Sequence, residues 1–332
     1  MTNMLEESAK QLFATHCTAE QVRDVAQPSQ ISNLWDALTA AGFADALTGE
    51  DRGGAGLQPI DLAPVLFQAG EQAAPLPLGE TMLLRSISSQ AADAGPIAIA
   101  PAPVQSTKGG DRLSNVPFGR VVGHVVAQVG AEWTLMSLDT ATVVPSPSKG
   151  SLNANILWPQ GAPTGPVLEA HDWRSVGALM RAVDMAAAMA RLLEMTVDYA
   201  KEREQFGRAI AKQQAIQQQI SLMAEECYAA RMAAELGLAG YTDPTAVAIA
   251  KSRVGEAASR VGPIAHAVHG AIGITQEHDL HLYTRRLIEG RIAYGSERYW
   301  NEKLGQSLLD STQSSLSFVQ SVSARKTMPV TL

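Results

Sequence analysis

The sequence is poor in cysteine and in long apolar runs, and each shortage excludes a class of protein. Two cysteines occur among the 332 residues. Cys17 and Cys227 have no paired spacing, so neither a disulfide framework nor a zinc site is indicated. No apolar run reaches the roughly 18 residues that would indicate a membrane span.

The sequence also lacks a basic block and a signal peptide. The net charge is −7, and its even spread argues against nucleic acids and anionic membranes as partners. The first residues show no basic region followed by an apolar core, so we expect a cytoplasmic protein. A hydrophobic content of 46% with 18% charged residues is ordinary for a globular protein.

Three segments of different character follow one another, with a tail behind them. In the first, apolar residues recur at three-to-four spacing, as at Leu34, Leu38 and Ala41, which predicts helices. The second consists of short runs rich in valine and isoleucine, which predict five to seven strands. The third predicts long helices, two of them running over 214–238 and 244–266. The predicted divisions are an N-terminal helical domain (1–94), a small β domain (95–169), a helical bundle (170–310) and a tail (311–332).

The order of helices, strands and helices predicts a mainly α protein with an inserted β domain. Within the last helical segment, the stretch YAKEREQFGRAI contains Arg203, followed by Gln205, Phe206 and Gly207. Gly207 suits the end of a helix, where a left-handed residue is needed. Arg203 is either part of a solvated charge cluster at that helix end or a fork of donors for an anionic ligand.

A second stretch, AVHGAIGITQEHDLHLYTRRL, combines glycines with histidines. Gly270 and Gly273 would let backbone amides approach a phosphate closely. The stretch lacks the strand–turn–helix context of a dinucleotide-binding Rossmann loop. It contains four histidines, His266, His269, His278 and His281. Their spacing is irregular, and we expect no metal site.

Together with QAIQQQISLMAEECYAAR, PLPLGET and WDALTAAGFADALTGEDRGGAGLQPIDLAPVL, these two stretches resemble the acyl-CoA dehydrogenase family. Their order and spacing are those of the family. Arg203 precedes Gln214 by 11 residues, as the family's arginine precedes the glutamine of its Q-A-I motif. The β segment departs from the pattern, because it lacks the family's T-E-P strand motif and the G-S-D that follows.

The resemblance implies an N-terminal helical domain, a central β-barrel or sandwich and a C-terminal four-helix bundle. It also implies FAD, assembly into a homo-oligomer or hetero-oligomer, and α,β-desaturation of an acyl-CoA thioester. Electrons would pass to an electron-transferring flavoprotein. The positions that it assigns to the cofactor are Arg203, Gln205, Phe206, Gln214, Gly270, Gly273 and Ser296.

The catalytic carboxylate of the family has no counterpart at its usual place. In most members a glutamate in a Y-E-G-T turn removes the α-proton of the substrate, and counting from the glycine-rich turn assigns that position to Tyr294. In other members the base lies on the long helix, at the position of Gly177. Two acids lie near that position, Glu297 three residues after Tyr294 and Glu289 five before it, and we predict Glu297 as the base. The alternative is that Glu297 is a solvated carboxylate at a helix start, stabilised by the helix dipole.

A second departure lies before the glycine-rich turn. The family often carries a glutamine there that contacts the flavin phosphate, and this chain has Ala267.

Three functions remain open on the sequence. The chain is a subunit of an FAD-dependent acyl-CoA dehydrogenase, active alone or with a related partner that supplies the carboxylate. Alternatively, it is a non-catalytic structural or binding subunit with the same fold. The third possibility is a divergent flavoenzyme of this fold, such as a monooxygenase or a nitroalkane oxidase.

Overall fold

The computed structural model describes residues 2–23, 25, 27–92, 94–169 and 171–324. The chain divides into two compact units, Met1–Met180 and Arg181–Leu332. The protein is mainly helical with a small β region, which confirms the predicted fold class. The division falls inside a long helix and places the N-terminal helices and the strands in one unit. The predicted boundaries at residues 94, 169 and 310 stay a prediction.

The first unit begins with five helices. They are α1 (Thr2–His16), α2 (Ala19–Arg23), α3 (Ser32–Ala40), α4 (Ala63–Glu71) and α5 (Leu78–Ile87). Apolar side chains such as Phe13, Leu38 and Phe67 are fully buried and form its core. Thr81 on α5 links the helices to the strands, since its hydroxyl accepts a hydrogen bond from the Ile97 amide at 3.0 Å.

Seven strands follow, within the predicted range of five to seven. They are β1 (Ile97–Ile99), β2 (Gln105–Thr107), β3 (Gly110–Val116), β4 (His124–Val129), β5 (Glu132–Ser137), β6 (Thr142–Pro145) and β7 (Ala154–Trp158). One sheet has the order β1-β4-β5, with β1 parallel to β4. The other has the order β2-β3-β7-β6 and is antiparallel throughout. Closure of these sheets into a barrel or sandwich stays a prediction.

The long helix α6 (Trp173–Glu202) leads into the second unit. Its remaining elements are β8 (Glu204–Gln205), β9 (Arg208–Ala209), α7 (Gln214–Ala239), α8 (Pro244–His269), α9 (Leu280–Ile292), α10 (Glu297–Asp310) and α11 (Ser315–Ala324). Part of the predicted tail is therefore helical, and residues 325–332 lie outside the described part. Their arrangement as a four-helix bundle stays a prediction.

Helices α7 and α8 are joined by a carboxylate between two guanidinium groups. Glu226 on α7 pairs with Arg253 at 2.7 Å and with Arg260, both on α8. Helix α8 begins where Asp243-Pro244 predicted, because the Asp243 carboxylate accepts a hydrogen bond from the Thr245 amide at 2.9 Å. It ends at His269 rather than at the predicted His266, since the first residue with a non-helical φ is Gly270.

Among the helices of the described residues, none is both long enough and apolar enough to cross a membrane.

Candidate functional site

The stretch around Arg203 forms a β-hairpin directly after α6. Its strands β8 and β9 are joined by a two-residue turn, Phe206-Gly207. Phe206 and Gly207 both have positive φ, +55° and +75°, which is the signature of a type I′ turn. The expectation that Gly207 ends the helix is wrong, because α6 already ends at Glu202. The left-handed glycine serves the hairpin, whose strands need a turn of matching twist.

The hairpin presents its predicted cofactor-binding residues to solvent. Arg203, Gln205 and Phe206 are exposed, and 91% of the Phe206 surface is accessible. A bulky residue with positive φ is uncommon, so the turn holds the ring outward at a conformational cost. Gln214, the first residue of α7, is exposed as well. These side chains are available to a ligand or to a neighbouring subunit.

The glycine-rich turn follows directly on α8. Gly270 has a φ of +62° and open space around it, so its backbone can be approached closely. Gly273 is buried, and a Cβ there would lie 2.8 Å from the Cβ of His269. Gly270 is thus required for its conformation and Gly273 for its packing.

Aromatic and imidazole rings fasten the glycine-rich turn to the end of α6. Tyr199 stacks on His269 with ring centroids 4.5 Å apart, and His278 meets His269 edge-on at 4.7 Å. The Nδ1 atom of His269 lies 2.8 Å from the Ala265 carbonyl oxygen and donates to it. Burial, the largest influence, lowers the pKa of His269 below its ordinary value. The ring is therefore neutral near pH 7.

This ring cluster brings two of the predicted motifs together. Tyr199 lies four residues before Arg203, and His269 lies directly before Gly270. Sequence reasoning treated the histidines only as possible metal ligands and did not assign Tyr199 a role. Within the described part of the chain, no three His, Cys, Asp or Glu side chains form a group that could hold a metal ion.

The turn between α9 and α10 contains the position predicted for the missing base. Tyr294 has a φ of +59°, and only 2% of its surface is exposed. Gly295 follows with a φ of +110°, and a Cβ there would lie 2.5 Å from Cδ1 of Tyr299. Ser296 occupies the N-cap position of α10 and is half-buried. The phenol ring at the base position is packed into the protein.

Glu297, the predicted base, is the first residue of α10 and forms an ion pair with Arg291. Desolvation by burial raises the pKa of Glu297, but the hydrogen bond and charge of Arg291 outweigh it. The charge of Lys251 acts in the same direction, and the pKa of Glu297 lies below its ordinary value. A general base for an α-proton benefits from a raised pKa. The ion pair gives Glu297 a structural role, and its role as the base stays a prediction.

The exposed residues are of the chemical types that suit a dinucleotide such as FAD. A guanidinium at Arg203 suits a diphosphate, an open glycine backbone at Gly270 allows close approach, and the ring of Phe206 is accessible for stacking. Arg203 and Gly270 both adjoin the ring cluster, since the Arg203 amide donates to the Tyr199 carbonyl and Gly270 follows His269. In the turn between α9 and α10, the Glu297 carboxylate is paired with the guanidinium of Arg291.

Comparison with known proteins agrees with the motifs. Residues 175–309 match the family described as acyl-CoA dehydrogenase, C-terminal domain. Acyl-CoA dehydrogenase IpdE2 of Mycolicibacterium smegmatis is 30% identical over 290 residues, which are 85% of this chain and 91% of the relative. The chain therefore belongs to the acyl-CoA dehydrogenase family.

Solved structures share the fold over nearly the whole chain. The ChsE4-ChsE5 complex from Mycobacterium tuberculosis contains a chain that matches with a TM-score of 0.79 at 21% identity, over 94% of this chain and 98% of that one. PigA with FAD and proline matches with a TM-score of 0.73 at 18% identity, over 92% of this chain and 97% of that one. At these identities the likeness concerns the fold.

Proposed function

We propose that this chain is a subunit of an FAD-dependent acyl-CoA dehydrogenase that works with a related subunit. The partner supplies the carboxylate that removes the α-proton of an acyl-CoA thioester. FAD, when bound, accepts the β-hydrogen as hydride and passes electrons to an electron-transferring flavoprotein. This chain contributes binding residues at the edge of the cofactor.

The observation that carries the proposal is that the turn between α9 and α10 has no unpaired carboxylate at the position of the family's base. The position of the family's base holds Tyr294, which is buried, and the nearest acid in the turn is paired with Arg291. Loss of a general base typically lowers the rate by about 10²- to 10⁴-fold. Such a loss is tolerable when another subunit provides the base. The ChsE4-ChsE5 complex supports this, since a chain of the same fold is found there in a complex.

In this proposal the cofactor contacts come from the hairpin, the start of α7, the glycine-rich turn and Ser296. Arg203 would hold the diphosphate of FAD, with Gln205, Phe206 and Gln214 near its adenosine half. Gly270 and Gly273 would let the backbone pass close to the diphosphate, and Ser296 would contact the cofactor from the turn. PigA supports a cofactor of this kind for the fold, because it was solved with FAD.

Flavin absorbance tests the proposal. The chain is purified alone with added FAD, and also after co-expression with a longer relative that carries an acid at the turn. We expect flavin retention and acyl-CoA desaturation only in the co-expressed assembly. A chain that retains one FAD by itself and desaturates acyl-CoA would overturn the heteromeric part of the proposal.

The second candidate is a non-catalytic structural or binding subunit with the same fold, and the buried Tyr294 is compatible with it. The two candidates differ at Arg203. If Arg203→Ala leaves flavin retention by the assembly unchanged, the non-catalytic candidate is favoured. The matched control is Arg208→Ala, which removes another exposed arginine from the same hairpin.

A further inference from the structure

Lys251 on α8 is fully buried, and its ammonium group lies at the turn between α9 and α10. Its Nζ donates to the carbonyl oxygens of Gly290 at 2.7 Å, Arg291 at 3.0 Å and Gly295 at 3.0 Å. An ammonium has three donors, so these three bonds use all of them. Two of the acceptors belong to the last turn of α9, and the third lies beyond the break in the helix.

Two of the three carbonyls, those of Gly290 and Arg291, lie in the last turn of α9. The last carbonyls of a helix have no amide to pair with, and they form the negative end of the helix dipole. The ammonium form of Lys251 satisfies both needs, and burial, the largest influence, lowers the pKa of Lys251 to about 7. The ammonium also joins the end of α9 to Gly295 across two successive residues of positive φ, Tyr294 and Gly295. A positive φ is unfavourable for a tyrosine, and contacts that stabilise the backbone on both sides of Tyr294 offset part of this cost.

Charged side chains connect α10 to the surroundings of Lys251. A Cβ at Gly255 would lie 3.3 Å from Oε2 of Glu297, and Gly255 is on the same face of α8 as Lys251, one turn further. Glu297 in turn pairs with Arg291. Lys251, Glu297 and Arg291 therefore connect α8, α10 and α9 around the turn, and Arg181 adds a further positive charge near Lys251.

We propose that Lys251 is a positioning residue, whose three hydrogen bonds stabilise the positive φ of Tyr294 and Gly295 in the turn between α9 and α10. In this way it sets the direction of Ser296 and of the Gly295 backbone. These hydrogen bonds form within the chain, so their effect on the turn does not depend on a bound ligand. The consequence for the cofactor rests on the proposed function, in which Ser296 contacts FAD.

Amide hydrogen exchange of the assembled protein measures directly how strongly Lys251 stabilises the turn. Lys251→Met keeps an unbranched side chain one heavy atom shorter and removes its donors, and Lys10→Met removes an exposed lysine from α1 as a control. We expect exchange in peptides covering 290–297 to accelerate about tenfold or more in Lys251→Met. Exchange in the strands β1–β7 should stay as in the wild type. If the exchange rate in peptides covering 290–297 is unchanged, or if exchange accelerates equally throughout the chain, the proposal is overturned.

A second variant covers the case in which Lys251→Met does not fold. Lys251→Arg keeps the charge, but the planar fork of a guanidinium cannot reproduce the geometry of an ammonium among three carbonyls. We expect faster exchange at the turn alone, by a smaller factor than for methionine. Wild-type exchange at the turn in Lys251→Arg contradicts the proposal.

The affinity for FAD separates this inference from the proposed function. We expect Lys251→Met to raise the Kd of the assembly for FAD about tenfold, because a loosened turn misplaces its contacts. Lys10→Met should leave the Kd unchanged. A loosened turn with unchanged FAD affinity overturns the link to the cofactor. A wild-type assembly that binds no FAD refutes the proposed function and leaves the exchange result standing.

Discussion

The hairpin 203–209 and the turn 293–297 differ in burial and in the residues they carry. The hairpin is exposed and carries the arginine, glutamine and phenylalanine that the family motif predicts. The turn is packed, is held by Lys251, and has a tyrosine where the family's base is expected. The hairpin leaves its polar and aromatic side chains accessible, whereas the turn buries Tyr294.

The largest effect on the free energy of unfolding is expected from replacing a glycine by alanine, once in the turn and once in the hairpin. Gly295→Ala should lower the free energy of unfolding by about 2–4 kcal/mol, because φ is +110° and the new Cβ meets Tyr299. Gly207→Ala should cost only about 1–2 kcal/mol, since its φ is +75° and nothing lies within 4 Å. Urea unfolding of both variants measures the difference. Equal losses would mean that the turn is no more tightly packed than the hairpin.

The next effect concerns the exposed arginine of the hairpin. Arg203→Ala should weaken FAD binding by the assembly about 10- to 100-fold, because a charged hydrogen bond contributes about 1.5–3 kcal/mol. Its unfolding free energy should change by less than about 0.5 kcal/mol. Flavin titration and urea unfolding measure the two quantities, with Arg208→Ala as the control. Equal losses of affinity in both variants would assign the effect to net charge.

Glu297 distinguishes a structural carboxylate from a catalytic one. Glu297→Gln should leave kcat of the assembly within about threefold, against the 10²- to 10⁴-fold loss typical of a missing base. The unfolding free energy should fall by about 1–2 kcal/mol, because Arg291 loses its charged partner while remaining half-buried. A loss of kcat in the range of a missing base would restore Glu297 as the base.

The ion pair of Glu297 also predicts a dependence of stability on pH. Its folded-state pKa lies below the ordinary value near 4.5, so the unfolded chain binds the proton more readily. The resulting stabilisation is present above about pH 4.5 and is lost as the pH falls through the folded-state pKa. Acid titration of stability should therefore be shallower in Glu297→Gln. Identical curves for the variant and the wild type would contradict the lowered pKa.

The smallest effect lies at the tip of the hairpin. Phe206→Asn should leave the isolated chain as stable as the wild type or more stable by about 0.5–1 kcal/mol, because asparagine tolerates a positive φ. If the exposed ring packs against a partner or a cofactor, the same variant should weaken assembly or flavin retention. Thermal unfolding and size-exclusion chromatography measure the two properties. A destabilised isolated chain would show that the ring packs within its own chain.

The predictions from sequence succeeded where they depended on periodicity and on local start signals. The start of α8 at Pro244 was predicted because an aspartate cap followed by proline acts on adjacent residues. The end of α6 was misplaced, since a helix cap and a hairpin turn both use a left-handed glycine and the motif alone does not separate them. The stacking of Tyr199 on His269 joins residues 70 positions apart, and no local pattern indicates such a pair.

The sequence by itself determined the mainly helical class with its β region, the family motifs and the absence of an acid at position 294. These properties follow from residue type, order and spacing. The tertiary structure decided that Tyr294 is buried, that Arg291 holds Glu297, and that the ammonium of Lys251 meets three carbonyls from a different part of the chain. Burial and charge pairing depend on neighbours distant in sequence, and a buried lysine looks like any other until its surroundings are known.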